Sequence, residues 1–226
     1  MNRYIVATDD GSHTLKVDEL QEHYHSTFGA INESMHVYIN AGLYYVLQSK
    51  PHDLAILEVG FGTGLNTLLT LLDEKIRHIS ANYTAVEAYP LEKEWWTKLN
   101  YTEMLDKTDA ATLFHEIHAC AWNKTIAIRT GFILEKIHCK LEDFTAKKKF
   151  DLVYFDAFGP DVQPELWTEE VFKKIAGMTA KEGVLVTYSC KGRVKRALRS
   201  AGFEIEKLPG PEGKREMIRG ILKSVP

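Results

Sequence analysis

One short segment constrains the fold of this chain more than any other. Leu54–Val59 is an apolar run of strand length, and Leu65–Leu72 is an apolar run of helical length. Gly60, Gly62 and Gly64 lie between them, and glycine permits both positive φ and close approach of a ligand to the backbone. A buried strand, a tight glycine loop and a helix are typical of the first unit of a Rossmann-like domain.

The spacing of these glycines indicates which kind of ligand the loop binds. It is G-x-G-x-G rather than the G-x-G-x-x-G of dinucleotide-binding proteins, and Glu58 stands directly before the first glycine. A carboxylate there disfavours a phosphate and favours a cationic ligand with an amino-acid group, such as S-adenosylmethionine. The predicted cofactor contacts are Glu58, Gly60, Phe61, Gly62, Gly64 and Asn66. The alternative is a glycine turn that serves only helix–strand packing.

The remainder of the chain alternates strands with helices, which predicts an α/β fold with a mostly parallel sheet covered by helices on both faces. The predicted strands are Asn82–Val86, Thr125–Arg129, Phe132–Lys140, Phe150–Phe155, Gly183–Thr187, Phe203–Leu208 and Glu216–Leu222. Helices are predicted from Leu91 towards Leu105, after an N-cap at Thr168, and over Val194–Ser200. Thr130-Gly131 predicts a hairpin between the second and third of these strands.

The N-terminal region has a different character from the rest of the chain. Residues 1–50 are polar, and only Arg3–Thr8 and His36–Ile39 show short β-like alternation. They are predicted to form an extension packed on a Rossmann-like domain of residues 51–226. The 226 residues are enough for one compact domain overall.

The composition indicates neither a membrane protein nor a metal centre. The N-terminus lacks the apolar run of a signal peptide, and no stretch approaches the roughly 20 apolar residues that span a membrane. Three scattered cysteines without a C-x-x-C favour the reducing cytoplasm. The histidine pairs His23/His25 and His115/His118 lack a third ligand at an identifiable spacing, so no metal site is predicted.

Two carboxylates near strand ends extend the predicted cofactor site. Glu87 ends the second strand about 20 residues beyond the glycine loop, where a carboxylate can accept hydrogen bonds from ribose hydroxyls. Asp143 follows the strand Phe132–Lys140 and is placed for the amino group of an adenine. The alternative for Glu87 is a solvated charge at a strand end.

Asp156 is the predicted catalytic residue. It follows the apolar strand Phe150–Phe155, and parallel sheets bind ligands beyond the carboxyl ends of their strands. An sp3 amine is mostly protonated at neutral pH. A carboxylate here could bind the ammonium form, orient it and take its proton before attack on a sulfonium methyl. Phe158 and Pro160 are expected to wall the site, and the alternative is an aspartate that only stabilises its loop.

The C-terminal region carries a surplus of basic side chains, although the net charge of the whole chain is −3. The cations are Lys191, Arg193, Lys195, Arg196, Arg199, Lys207, Lys214, Arg215, Arg219 and Lys223, opposed by Glu204, Glu206, Glu212 and Glu216. A basic helix is usually a solvated face. Here it also provides a local surface for phosphates that the net charge does not.

Several longer motifs resemble one family. They are EVGFGTGLN at 58–66, FDAFGP at 155–160, PELWT at 164–168 and GKREM at 213–217, with similarity also at 83–91 and, more loosely, at 28–34. Together they resemble the methyltransferase half of the bifunctional enzymes that complete 5-methylaminomethyl-2-thiouridine in tRNA. The glycine motif is common to many methyltransferases, whereas the other three segments in this order are more specific.

The resemblance implies a class I S-adenosylmethionine-dependent methyltransferase fold, with a seven-stranded sheet whose last strand is antiparallel. It implies N-methylation of 5-aminomethyl-(2-thio)uridine at the tRNA wobble position, with S-adenosylmethionine as cofactor and tRNA as partner. The expected substrate contacts are Phe158, Pro160, Trp167, Lys214 and Arg215.

Two departures from the family pattern matter. Gly159 replaces an alanine common at that place, which we expect to change little beyond loop flexibility. The flavin-dependent oxidase half is not expected, because the chain ends soon after Lys223. The substrate would then arrive directly in the aminomethyl form or be supplied by a separate FAD-dependent oxidase.

Other functions are compatible with the same residues. One is aminopropyl transfer of the spermidine-synthase type, which the transferred group would distinguish from methyl transfer. Methylation of another small amine is a related alternative. The other is a non-catalytic tRNA-binding module that has kept the fold. Retention of both Glu87 and Asp156 argues against this last possibility.

Overall fold

Eight strands form the main sheet of the computed structural model, which describes residues 2–50 and 52–223. In chain order the strands are β1 (Arg3–Ala7), β2 (His13–Val17), β3 (Glu22–His23), β4 (Asp53–Val59), β5 (Ser80–Glu87), β6 (Thr125–Arg129), β7 (Phe132–His138), β8 (Phe150–Phe155), β9 (Thr179–Thr187), β10 (Phe203–Pro209) and β11 (Glu216–Leu222). The first three form a separate antiparallel sheet.

The main sheet has the order β10-β11-β9-β8-β4-β5-β7-β6. The five strands from β9 to β7 in this order are parallel, whereas β11 runs antiparallel to both of its neighbours. β6 runs antiparallel to β7, as the predicted hairpin requires. The expected count of seven strands is wrong by one, because β6 adds an eighth strand at the edge of the sheet.

Side chains of the central strands alternate between two cores, one on each face of the sheet. In β4, Leu54 and Ile56 belong to one core, and Leu57 and Val59 belong to the other. Successive residues of a strand point to opposite faces, so a strand covered on both faces is apolar at most of its positions. This is the burial that the apolar sequences of β4 and β8 predict.

Helices cover both faces, as predicted. They are α1 (Ala30–Ser34), α2 (Tyr44–Leu47), α3 (Leu65–Leu72), α4 (Lys93–Trp96), α5 (Tyr101–Met104), α6 (Ala110–Ala119), α7 (Glu169–Met178) and α8 (Gly192–Ser200). A nine-residue π-helix, Met35–Leu43, joins α1 to α2, and 3-10 turns occupy Glu74–Ile76 and Pro164–Trp167. The N-cap predicted at Thr168 is confirmed, since its hydroxyl accepts the backbone N–H of Val171 at 3.3 Å.

The segment around residue 36 is helical, so the strand-like alternation read in His36–Ile39 is misleading. These residues lie inside the π-helix. Val37, Tyr38 and Ile39 are all buried at successive positions, which a half-buried strand cannot provide. The π-helix packs against the first core and brings Tyr38 to the carboxyl end of β8. The predicted boundary between the extension and the main domain falls at Pro51, which lies outside the described residues.

The helix predicted from Leu91 towards Leu105 is interrupted and consists of α4 and α5. Asn100 lies at the break. Its side-chain oxygen accepts the backbone N–H of His13 at 2.8 Å, and its amide donates to the carbonyl of Gly11 at 2.9 Å. These two bonds tie the break to the start of β2, a tertiary contact that local periodicity does not encode.

Gly60 connects β4 to the glycine loop through a tight backbone contact. Its φ is +91°, and a Cβ at this position would stand 2.6 Å from the carbonyl oxygen of Asp156. The Gly60 N–H donates to the Val86 carbonyl at 2.9 Å, and the Asp156 N–H donates to the Val59 carbonyl at 3.0 Å. The ends of β4, β5 and β8 are therefore held together where the loop begins.

We expect Gly60→Ala to lower the free energy of unfolding by about 1–3 kcal/mol, because alanine adds left-handed backbone strain to this contact. Gly177→Ala is the matched control, since Gly177 is exposed in α7 with nothing within 4 Å of an added Cβ. The control should instead gain up to about 1 kcal/mol from helix propensity. Urea unfolding measures both changes, and wild-type stability of Gly60→Ala would contradict the tight contact.

Candidate active site

The carboxyl ends of the parallel strands open into one cavity of about 800 Å³. Residues that follow β4, β5, β7, β8 and β9 line it, together with residues of the N-terminal segment. This is the edge at which parallel sheets bind ligands. The predicted site residues in its wall are Gly60, Phe61, Gly62, Asn66, Glu87, Asp156, Phe158, Pro160 and Lys214.

Two buried side chains hold the carboxylate of Asp156 at the cavity wall. The Tyr38 hydroxyl donates to Oδ1 at 2.5 Å, and the Asn66 amide donates to Oδ2 at 2.7 Å. One donor on each oxygen fixes the plane of the group, and an ionised carboxylate keeps further lone pairs for a ligand. Asp156 is therefore oriented by the protein alone.

The surroundings of Asp156 raise its pKa to about 7. Burial is the main cause, and the negative charge of Glu33 adds to it. The hydrogen bonds from Tyr38 and Asn66 and the positive charge of Lys214 act in the opposite direction. A carboxyl group that titrates near neutrality is suited to exchange a proton with a ligand.

Glu87 lies between the glycine loop and the loop after β5. Its Oε2 accepts the backbone N–H of Gly62 at 3.0 Å, and its Oε1 accepts that of Tyr89 at 2.8 Å. The carboxylate is thereby fixed in the cavity wall, with lone pairs left for hydroxyl donors. The ribose contact stays a prediction, which this position supports.

The glycine loop side of the cavity fits S-adenosylmethionine. Gly60 and Gly62 both have positive φ and bring backbone to the wall without a side chain. The side-chain oxygen of Asn66 is buried and has no hydrogen-bond partner among the described residues. Asn66 interacts with Glu58, whose own Oε1 is also buried without a partner, so a protonated Glu58 is the available donor and this oxygen is not assigned to the cofactor.

Glu58 does not contact the cavity, and the sequence argument that its charge faces a ligand is wrong. It is fully buried beneath the glycine loop, where its Oε2 accepts the Thr67 hydroxyl at 2.8 Å. Burial, with a smaller effect from the charge of Asp156, raises the pKa of Glu58 to about 8. At neutral pH Glu58 is therefore mostly uncharged, and it joins β4 to α3.

Four other predicted contacts also lie outside the cavity wall. Gly64 is the left-handed N-cap residue of α3, and Trp167 is buried and donates its indole N–H to the Phe158 carbonyl at 2.8 Å. Both support loops that line the cavity. Asp143 and Arg215 are exposed on the surface, so direct contact of either with a ligand in this cavity is not supported.

Lys214 lies in the cavity wall rather than on an open surface. It pairs with Glu33, which is 6% exposed, and its Nζ lies 4.0 Å from the ring centre of Tyr188. Glu33 also accepts the backbone N–H of Ser26 at 2.8 Å. A lysine paired with a buried carboxylate is a weak anchor for a phosphate, so its position favours a contact inside the cavity.

The N-terminal segment supplies a wall of the site that sequence reasoning missed. The Tyr24 ring meets Phe158 edge-on at 5.1 Å between centroids and lies against Gly62. Tyr38 and Glu33 come from the same N-terminal part of the chain. No motif signals these roles, because each depends on a partner far along the sequence. Only the loose family similarity at 28–34 pointed to this region.

His118, one of the histidines considered as metal ligands, has structural partners. The His118 ring stacks on Trp96 at 4.6 Å, and its Nε2 lies 3.0 Å from the carbonyl oxygen of Thr63 in the glycine loop. Burial lowers the pKa of His118 to about 3. Within residues 2–50 and 52–223, no three His, Cys, Asp or Glu side chains are grouped to hold a metal ion. In the same residues, no helix has the length and apolar content to cross a membrane.

Comparison with known proteins identifies the family. A family profile described as S-adenosyl-L-methionine-dependent methyltransferase matches residues 93–223. The tRNA 5-methylaminomethyl-2-thiouridine biosynthesis bifunctional protein MnmC of Magnetococcus marinus is 30% identical over 96% of this chain and 33% of its own length. The protein of the same name from Aromatoleum aromaticum is 31% identical over 89% of this chain and 33% of its own. The chain therefore spans about a third of these relatives.

A solved structure gives the same result for the fold. The crystal structure of MnmC2 from Aquifex aeolicus matches with a TM-score of 0.79 and 25% identity, covering 100% of this chain and 72% of the other. The predicted class I methyltransferase fold is confirmed, and S-adenosylmethionine is the cofactor of the family. Since the family profile matches more than half of its residues, this chain belongs to the S-adenosyl-L-methionine-dependent methyltransferases.

Proposed function

We propose that this protein methylates the amine of 5-aminomethyl-(2-thio)uridine at the tRNA wobble position, giving 5-methylaminomethyl-(2-thio)uridine. The observation that carries the proposal is the oriented carboxylate of Asp156, in one cavity with the glycine loop. The names of the relatives from Magnetococcus marinus and Aromatoleum aromaticum support the tRNA substrate. The proposal includes a cytoplasmic location, and a substrate that arrives directly in the aminomethyl form or from an FAD-dependent oxidase.

N-methylation of a protonated amine requires a group that removes a proton from it. S-adenosylmethionine supplies an electrophilic methyl group when bound, and the amine attacks it only in its unprotonated form. Asp156 in its charged form accepts an N–H of the arriving ammonium and takes one proton. A bound ammonium favours the charged carboxylate, so the pKa of Asp156 is lower with the substrate bound than without it. The carboxylate therefore binds and deprotonates the same nitrogen.

The outer face of α8 is the proposed surface for the tRNA backbone. Arg196 and Arg199 are exposed there, and neither forms an ion pair with a described residue. At the start of the helix, Arg193 pairs with Asp161 at 2.7 Å, and Asp161 lines the cavity. Basic side chains on a helix that begins beside the cavity attract phosphates, while the cavity itself selects the nucleoside.

The reaction is tested by transfer of labelled methyl from S-adenosylmethionine to tRNA that lacks only this terminal methyl. We expect the label in 5-methylaminomethyluridine after nucleoside analysis, and none with fully modified tRNA. Transfer to a polyamine or another small amine, or transfer of an aminopropyl group from the decarboxylated cofactor, would replace the proposed substrate. Cofactor and tRNA binding without any transfer would instead identify a non-catalytic module.

Asp156→Asn tests the proton-accepting role. An amide cannot take the proton, so kcat should fall by about 10²-fold or more, while the Kd of S-adenosylmethionine stays within a factor of about two. Asp143→Asn is the matched control, because Asp143 is exposed and outside the cavity wall. Single-turnover methyl transfer and calorimetric titration measure the two quantities. Wild-type turnover of Asp156→Asn would remove Asp156 from the chemistry.

The tRNA surface is tested by replacing Arg196 and Arg199 together with alanine. We expect weaker tRNA binding and a slope of log K against log salt reduced by about 1–2, because each lost phosphate contact removes about one released counterion. Lys147→Ala with Lys148→Ala is the control, since these exposed lysines precede β8 and lie outside the cavity wall. Equal slopes for both double variants would place the RNA surface elsewhere.

A further inference from the structure

Tyr38 is buried beside the cavity, and the proposed proton transfer does not account for it. Its side chain is 1% exposed, and its ring packs on that of Tyr154 at 5.3 Å between centroids. It belongs to the π-helix Met35–Leu43. Such segments are rare in proteins, and those that occur often lie at functional sites. The hydroxyl donates its single proton to Asp156 Oδ1 in a hydrogen bond of 2.5 Å, so it cannot donate to another group at the same time.

The Tyr38 hydroxyl remains a donor over the whole working range of pH. Burial raises the pKa of Tyr38 well above its usual value, and the negative charge of Asp156 raises it further. A donor that cannot ionise stabilises the charged form of its carboxylate partner and leaves the protonated form without that benefit. The bond therefore acts on the charge of Asp156 as well as on its direction.

Asp156 needs this support because other groups oppose its charge. Burial and the carboxylate of Glu33 both disfavour ionisation, whereas Lys214 and the amide of Asn66 favour it. Glu58 lies near enough for the two acidic groups to influence each other. The titratable groups facing Asp156 from the elements packed around it are Tyr38, Glu33, Glu58, Tyr188 and Lys214.

We propose that Tyr38 is a positioning residue that keeps the Asp156 carboxylate charged and aimed into the cavity. The inference rests on the proposed role of Asp156 as the group that takes the proton of the substrate amine. Tyr38 acts through Asp156 and is not itself required to touch the substrate. The residue that orients Asp156 therefore lies 118 positions away from it in the sequence.

Tyr38→Phe tests the proposal through the pH dependence of kcat/KM. Activity that needs a charged carboxylate rises with pH through the pKa of that group. Loss of the Tyr38 donor raises this pKa, so the acidic limb should move to higher pH by about one unit. Activity should fall several-fold below neutrality and recover at alkaline pH, whereas a purely structural defect would lower it equally at every pH.

Tyr44→Phe is the matched control. Tyr44 follows the π-helix directly, and its hydroxyl donates to Asp73 Oδ2 at 2.7 Å, away from the cavity. The same chemical change is thereby made in the same helical segment, again on a tyrosine–aspartate hydrogen bond. We expect the acidic limb of this variant to match that of the wild type. A shift as large as that of Tyr38→Phe would overturn the assignment.

A measurement without substrate separates this inference from the proposed function. The ¹³C signal of the Asp156 carboxyl, assigned by its loss in Asp156→Asn, should titrate at higher pH in Tyr38→Phe than in the wild type. An unchanged titration overturns the inference whether or not tRNA is methylated. A shifted titration without tRNA methylation would support the Tyr38 effect and reject only the proposed function.

A second variant keeps the test decisive if Tyr38→Phe does not fold. Replacing Tyr38 by 3-fluorotyrosine keeps the hydroxyl and nearly the same volume, but makes the phenol a stronger donor. A stronger donor favours the charged carboxylate, so the carboxyl titration should move to lower pH. No movement in this variant would overturn the inference.

Discussion

The contact between Gly60 and the carbonyl oxygen of Asp156 is the constraint on which the site depends. It places the first residue of the glycine loop against the first residue after β8, with 2.6 Å between that oxygen and the place of a missing Cβ. The Gly60 N–H donates to the Val86 carbonyl and the Asp156 N–H donates to the Val59 carbonyl, so both loops are tied to the sheet and α3 starts at a fixed distance from β8. Asn66, in the first turn of α3, then reaches the Asp156 carboxylate at 2.7 Å. The glycine loop and the loop that begins at Asp156 are in this way one rigid unit.

The parts of this unit that belong to one βα element, or to the end of one strand, could be predicted from sequence. The bounds of α3 and β8 agree with the apolar runs, since most side chains of a buried element are apolar. The proximity of Glu87 and Asp156 could be predicted from the sequence, because the carboxyl ends of parallel strands lie at one edge of the sheet. The π-helix could not be predicted, because three successive buried residues fit neither the periodicity of a half-buried strand nor that of an amphipathic helix.

Properties that depend on burial could not be predicted in this way. Glu58 has the sequence position of a ligand-facing carboxylate, yet it is fully buried with a pKa of about 8, so its charge is mostly absent at neutral pH. Lys214 has the sequence context of a phosphate contact, yet it pairs with Glu33, 181 positions away. In both cases the sequence identifies an ionisable side chain. Its charge state and its direction depend on partners that no local pattern contains.

The two sides of the cavity come from different parts of the chain. The glycine loop and Glu87 line one side of the cavity and precede residue 93, where the family profile begins. Asp156 lies within the profile and Tyr38 outside it, and their hydrogen bond joins the N-terminal helical segment to the sheet. A shared sheet explains a shared cofactor, but substrate choice depends on what closes the other side of the cavity. In this protein residues of the N-terminal segment line that side, so we expect a methyltransferase with the same sheet and a different N-terminal segment to accept a different substrate.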